Sequence, residues 1–272
     1  MEIERQALKK FAGTGFRGAV RMEASLSELF HENTKLTPLS SRAYGSWISQ
    51  IGKSKTLTSL MAMPFKTYTL MDRVELPSAP PGSELESLIA ARRSIRNYSG
   101  ESMTQEELAS LLFFSYGITD NRRKFRAVAS GGGLYPLEIY AVALNIEGLE
   151  RGIYHYNIEH NCLDVVSRGD RLDELKECIW FEDIDIDDAA ALFIVTAMFE
   201  RSTLKYQDRG YRMVLMEAGE VAQNLTLVAN SHNLGVCLLG GFHDNSVSRI
   251  LEIDGNYEAP LLPMVVGRMV PS

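Results

Sequence analysis

Apolar residues recur along this chain in two rhythms. In "YRMVLMEAGEVAQNLTLVANSHNLG", which begins at Tyr211, the residues Ala218, Val221, Ala222, Leu225, Val228 and Ala229 fall at helical spacing. Met213, Leu215 and Met216 widen that surface, so this longest helix is central or faces another subunit, and Gly235 marks its stop. Two shorter helices are announced by their first turns. Ser83 with Glu86 precedes "LESLIAARR"; Thr104 with Glu107 precedes "LASLLFFSY", with Gly117 behind it. The second rhythm is shorter. "LEIYAVAL", "GIYHYN", "CLDVVS", "ALFIVTAM", "VCLLGGF" and "LLPMVVGR" read as strands, the second and third joined as a hairpin through Ile158 to Asn161. The longer strands are apolar on both faces, as in a sheet covered by helices on each side.

The segment "LPSAPPGS", Leu76 to Ser83, is the clearest linker. Before it the sequence is irregular and rich in Ser, Thr and Lys, so residues 1–82 read as an N-terminal extension and 83–272 as the main domain. There is no internal repeat. With 272 residues, 45% of them hydrophobic and 23% charged, the chain can build a sizeable core. Its 28 Lys and Arg against 35 Asp and Glu give a net charge of −7, which argues against a general nucleic-acid binder. Cys162, Cys178 and Cys237 have no metal-finger spacing and are expected as reduced thiols in a cytoplasmic protein. The N-terminal "MEIERQALKKFAG" lacks the apolar core of a signal peptide, and no apolar run approaches a membrane span.

Some motifs are weaker than they look. Gly13, Gly15 and Gly18 spell GxGxxG, but a polar helical stretch precedes them where a dinucleotide fold needs a buried strand. The acidic run Glu182 to Asp188 lacks the glycine and final glutamate of a calcium loop and reads as a solvated turn. The five histidines show no HExxH spacing and read as structural or exposed.

Three other segments share one chemical logic. "RAVASGGGLYPLEIYAVAL", Arg126 to Leu144, sets three glycines before a strand. A turn needs one glycine; three suit a flat ligand or a partner backbone at close range. In "ARRSIRNYSG", Arg92, Arg93 and Arg96 with Ser94 suit a phosphate through charge-assisted contacts. In "LLGGFHD", Gly240 and Gly241 end a strand and would present bare backbone N–H groups.

Together "RRSIRNYS", "SGGGLYPLEIY", "GIYHYN", "EAGEVAQNL" and "LLGGF", in that order from about Ser83 onward, resemble the FMN-dependent nitroreductase superfamily, and more closely the SagB-type dehydrogenases, the azoline oxidases of thiazole and oxazole biosynthesis. "FHENTKLTP", Phe30 to Pro38, is similar to that family's N-terminal portion. The resemblance implies an α+β nitroreductase-like fold, with a central mixed sheet flanked by helices, and a homodimer whose two FMN sites lie at the interface. It implies that Ser130, Gly131 and Gly132 approach the flavin while Leu134 and Tyr135 wall the site. Arg92 and Ser94 would hold the ribityl phosphate, with Arg268 as a second phosphate ligand. Arg96 would face the pyrimidine end, Arg93 would stand close by, and Gly240 or Gly241 would offer an N–H toward N5. Lys205 and Tyr206 match a Lys-Tyr pair associated with catalysis, as base and as proton relay or substrate hydrogen bond. Glu217 would be a buried partner for an arginine.

The implied reaction oxidises a thiazoline or oxazoline to the azole. The substrate is carried on a carrier protein or a ribosomal precursor peptide, and oxygen reoxidises the flavin. An NAD(P)H-dependent nitroreductase or flavin reductase and a flavin-less scaffold subunit remain as alternatives.

Overall fold

The computed structural model describes residues 25–61, 65–66, 68–181 and 183–271. The GxGxxG glycines and the stretch before them lie outside the described residues. Contacts divide the chain after Lys35. In the first unit, Ser25 and Glu28 close a reciprocal capping box on α1 (Leu26–Thr34).

The second unit opens with α2 (Pro38–Lys53) and α3 (Lys55–Met61). Thr37 caps α2, Ser40 reciprocates, and Pro38 stands in the first turn, where its missing N–H costs nothing. The irregular extension expected here is therefore helical in this stretch. Neither helix has a fully buried residue; α2 is held by its cap and by Ser41 and Tyr44 against His243 and Trp180, contacts that leave little trace in apolar periodicity.

Helix α4 (Glu84–Ala91) is capped by Ser83, though the Glu86 carboxylate accepts from Gly82 N at 2.7 Å rather than closing the box. Helix α5 (Gln105–Tyr116) has the full Thr104–Glu107 box and ends at Gly117. A small antiparallel pair follows, β1 (Ile118–Asp120) and β2 (Phe125–Arg126).

The main sheet holds β3 (Leu137–Ala143), β4 (Gly152–Asn157), β5 (Cys162–Arg168), β6 (Ala191–Ala197), β7 (Leu234–Leu238) and β8 (Ala259–Arg268). Their order is β5-β4-β3-β6-β8-β7. All five ladders are antiparallel. The parallel component of this mixed sheet is a bridge from Ser94 to Val236 along the edge of β7. The β4–β5 hairpin forms as expected.

Helices α6 (Leu172–Lys176), α7 (Glu200–Tyr206), α8 (Asp208–Ser231) and α9 (Asp244–Ile250) complete the unit. Strands β3 and β6 are buried along their whole length. Leu137, Ile139, Ala141, Phe193 and Val195 pack with α5 and α8 on one face. Val142, Leu192 and Ile194 pack with α6 and α9 on the other.

The long helix begins at Asp208 and leaves through Asn233 at φ 57°. Gly235, the expected stop, instead belongs to β7, where a Cβ would come within 2.5 Å of Ile95. Helices α7 and α8 meet at one residue, Gln207, with φ 50° and ψ −144°. Gly210 permits the close junction: a Cβ there would lie 2.7 Å from Ser202 O. Helix α8 also touches α4, α5, β3, β7, β8 and the glycine turn. Within the acidic run, Ile186–Asp188 form a short turn in which Asp187 pairs with Lys176 at 2.5 Å, and all three cysteines are free.

Candidate active site

Gly131–Gly133 form one tight turn between β2 and β3, with φ 71° at Gly132 and 68° at Gly133. Tyr135 is left-handed too, at φ 47°. Such angles cost a side-chain-bearing residue about 1–2 kcal/mol, so the turn needs anchors. Ser130 Oγ accepts from Tyr135 N at 2.9 Å and donates to Glu217 Oε2 at 2.6 Å. The other oxygen of Glu217 accepts from Tyr116 Oη at 2.7 Å, and that hydroxyl accepts from Leu137 N at 3.1 Å. Tyr135 Oη accepts from Arg126 N at 3.1 Å, and the Arg126 guanidinium lies over the Tyr116 and Tyr135 rings at 4.5 and 4.7 Å.

Glu217 is 3% exposed. Burial pushes its carboxyl above the ordinary value and outweighs the lowering by the Ser130 and Tyr116 hydroxyls and the Arg126 charge. The expected arginine partner is corrected here: two hydroxyls bind Glu217, and Arg126 acts on it only by its field. Tyr135 packs its ring against Tyr116 and Arg126.

Lys205 and Tyr206 close α7 directly over Gly132. A Cβ on Gly132 would overlap Tyr206 Oη and lie 2.9 Å from Lys205 Nζ, while one on Gly131 would lie 2.9 Å from Met213 Sδ. The Lys205 ammonium sits 5.1 Å from the Tyr206 ring centre; Lys205 is exposed and Tyr206 half-buried.

Residues beyond the expected set join here. Arg201 Nη1 donates to Glu138 Oε1 at 2.6 Å and to Tyr135 O at 3.3 Å. His155 Nε2 lies 3.1 Å from the second oxygen of Glu138. Burial raises the Glu138 pKa, but the bonds and charges of His155 and Arg201 outweigh it and hold the group below the ordinary range. Burial lowers that of His155, and Glu138 more than reverses it. The signal was present in the sequence: Glu138 is the one charge in "LEIYAVAL", and a charge in a buried strand needs partners.

The basic segment lies along β7. Arg92 is half-buried at the end of α4; Arg93, Ser94 and Arg96 are exposed. Arg93 Nη1 turns back to the carbonyls of Ala90 and Arg92 at 3.0 and 2.7 Å. Among the described residues, no carboxylate stands within ion-pair distance of Arg92 or Arg96. These free guanidiniums and the Ser94 hydroxyl fit a phosphate-bearing group.

Arg268, expected as a second phosphate ligand, is engaged by protein groups in this structure. Its fork grips Glu107 through two bonds of 2.9 Å and also donates to His232 O and Ser102 O. This clasp ties the end of β8 to the first turn of α5. Against the rise from burial, it holds the Glu107 carboxyl below its ordinary value. The two glycines after β7 differ as well. The open face of Gly240 has no atom within 4 Å, whereas Gly241 is pressed on the Trp180 indole and accepts from Trp180 N at 2.9 Å.

The structure thus joins Ser130–Tyr135 to Lys205 and Tyr206, and gathers Arg92–Arg96 separately on β7. No group of His, Cys, Asp and Glu among the described residues could hold a metal, and no helix among them is long and apolar enough to cross a membrane.

Comparison with known proteins adds lineage to this geometry. The nitroreductase family profile matches residues 89–268. A Methanocaldococcus jannaschii protein bearing a nitroreductase name is 40% identical over 192 residues, covering 69% of this chain and 92% of that protein. The microcin B17-processing protein McbC of Escherichia coli is 29% identical over 164 residues, covering 59% of this chain and 60% of McbC. A chain of the E. coli microcin synthetase McbBCD complex, solved with truncated pro-MccB17 bound, matches with a TM-score of 0.64 at 24% identity, over 92% of this chain and 100% of that one.

Proposed function

Because this chain belongs to the nitroreductase family of oxidoreductases, we propose that it is an FMN-dependent azoline oxidase. In this reading it acts as a homodimer on a thiazoline or oxazoline borne by a precursor peptide or a carrier-tethered chain. The observation that carries the proposal is the placement of Lys205 and Tyr206 on Gly132, a residue whose backbone both side chains cover. The likeness to McbC, a protein named for processing microcin B17, supports a peptide substrate.

Aromatisation removes a proton from Cα and a hydride from Cβ of the azoline ring. FMN, when bound, supplies the two-electron acceptor for that hydride. Arg92, Ser94 and Arg96 would hold its phosphate and ring edge, with Arg93 beside them. Gly133 and Gly240 leave an open face toward a flat ring, while Met213 lies against Gly131, and Lys205 and Tyr206 cover Gly132. Lys205 Nζ takes the Cα proton, and Tyr206 Oη hydrogen-bonds the azoline or passes that proton on. Lys205 is exposed in the single chain, so the dry surroundings a lysine base needs come from cofactor, substrate and a second subunit. Residues 1–82 serve as a dimer arm or docking segment, consistent with the exposed Leu39, Trp47 and Leu60.

A reductive reading has one observation in its favour, the 40% identity to a protein with a nitroreductase name. An absorption spectrum of the purified protein, identification of the released chromophore, and aerobic turnover of an azoline peptide decide between them. The expected result is bound FMN and azole formation, with Lys205→Ala keeping FMN and losing about 10²–10⁴ in rate. Rapid flavin bleaching by NADPH without azoline turnover favours the reductase. A colourless protein that takes up no FMN overturns both.

A further inference from the structure

We propose that Arg201 is a positioning residue: by binding Glu138 and the Tyr135 carbonyl together, it sets Lys205 and Tyr206 of α7 against the glycine turn. Helix α7 cannot fix its own orientation. It has seven residues and no side-chain cap at its start, and an isolated helix of that length is unstable in water. Its heading comes from tertiary ties.

One tie is the close approach at Gly210. Phe199, at the start of α7, stacks on Tyr211 at 4.9 Å, and Arg201 adds a polar tie, one helical turn before Lys205 and so on the same side of the helix. Its guanidinium reaches Glu138 on central β3 at 2.6 Å and Tyr135 O at 3.3 Å. Tyr135 ends the glycine turn, and Glu138 is backed by His155 at 3.1 Å. A single guanidinium therefore holds the helix carrying Lys205, the turn facing it, and the sheet beneath. The Arg201 and Glu138 side chains are 24% and 10% exposed, so the bond is shielded from water. Both bonds leave from Nη1, and a lysine ammonium ends one atom short of that nitrogen, so lysine reproduces the tie only in part.

This inference rests on the reading of Lys205 and Tyr206 as the reacting pair, and its test separates the two. Reductive methylation of the purified full-length protein is followed at Lys205 by peptide mass spectrometry, with exposed Lys53 as internal reference. Melting curves confirm folding. In Arg201→Gln and Glu138→Gln the Lys205 rate, relative to Lys53, is expected to rise several-fold, because the amine leaves its place beside Gly132 and Tyr206. The double variant should rise no further than either single one. Arg201→Lys should fall between, and supplies the measurement if Arg201→Gln does not fold.

Azoline turnover in these variants should lose about 10- to 100-fold in kcat with KM little changed, as a misplaced catalytic group does. A Lys205 rate that is unchanged or lower in folded variants overturns the proposal, as does additivity in the double variant. If the labelling rises as expected while Lys205→Ala still oxidises azolines at the wild-type rate, the positioning role stands and the catalytic reading of Lys205 falls.

Discussion

Gly132 and Tyr206 share one volume: a Cβ added to the glycine would overlap the phenol oxygen, with Lys205 Nζ 2.9 Å away. Gly133 has nearly the same φ, 68° against 71°, but an open face with no atom within 4 Å. Alanine at either position pays the same left-handed backbone cost, about 1–2 kcal/mol. Only Gly132→Ala also displaces the Lys-Tyr pair. Denaturant unfolding should show both variants destabilised, Gly132→Ala the more, and azoline turnover should collapse in Gly132→Ala alone. Equal loss of turnover in the two would mean that the contact does not set the site.

Arg268 and Arg92 are expected to fail in opposite ways. Arg268→Ala leaves the half-buried Glu107 carboxylate with its Thr104 N bond but no cation. Losing charge-assisted bonds at a half-buried pair costs about 1.5–3 kcal/mol. The variant should melt at lower temperature, with FMN content following the folded fraction. Normal stability with selective loss of FMN would return Arg268 to the phosphate.

Arg92 has no ionic partner among the described residues to leave behind. Arg92→Ala and Arg96→Ala should melt like the wild type when stripped of cofactor, yet weaken FMN binding by about 10- to 100-fold each, the worth of a charge-assisted contact. Flavin fluorescence titration of the stripped proteins measures this. Unchanged affinity in both would move the phosphate elsewhere.

Glu217 gives stability a definite pH slope. Burial first, against its hydroxyl partners, raises its pKa in the folded state. The folded protein then holds a proton that the unfolded chain has released. Stability through this group therefore falls as pH rises from the ordinary carboxylate value toward the raised one. Glu217→Gln carries no such proton. Melting temperatures of the two proteins should diverge across that window, the wild type losing ground toward neutral pH. Parallel curves would show Glu217 ionised throughout.

The parts of the fold that were legible in the sequence are those that burial dictates. Strands β3 and β6 are apolar at nearly every position because helices cover both faces, and the stripe from Ala218 to Ala229 is the buried face of α8. Helices α2 and α3 have no fully buried residue and so leave no stripe to read. At the site, residue type suggested chemistry but not company. Nothing local to Arg268 tells that Glu107 will hold it, and nothing in the glycine run tells that Lys205 and Tyr206 will cover it. Those pairings are made by the chain's path over the sheet. Glu138 and Glu217 were visible as charges inside apolar stretches, which signals a required partner without naming it.

Gln207 is a single-residue elbow. Its φ and ψ set the corner between α7 and α8, and the ties at Gly210 and Arg201 hold α7 in that heading. One residue inserted within α7, between Arg201 and Lys205, would turn the residues after it by about 100° about the helix axis. Lys205 and Tyr206 would then point away from Gly132 while the sheet kept every ladder. Chain length in this short helix is quantised: it admits no gradual adjustment, and a change there would act as an on-off control over the chemistry rather than as a loss of fold.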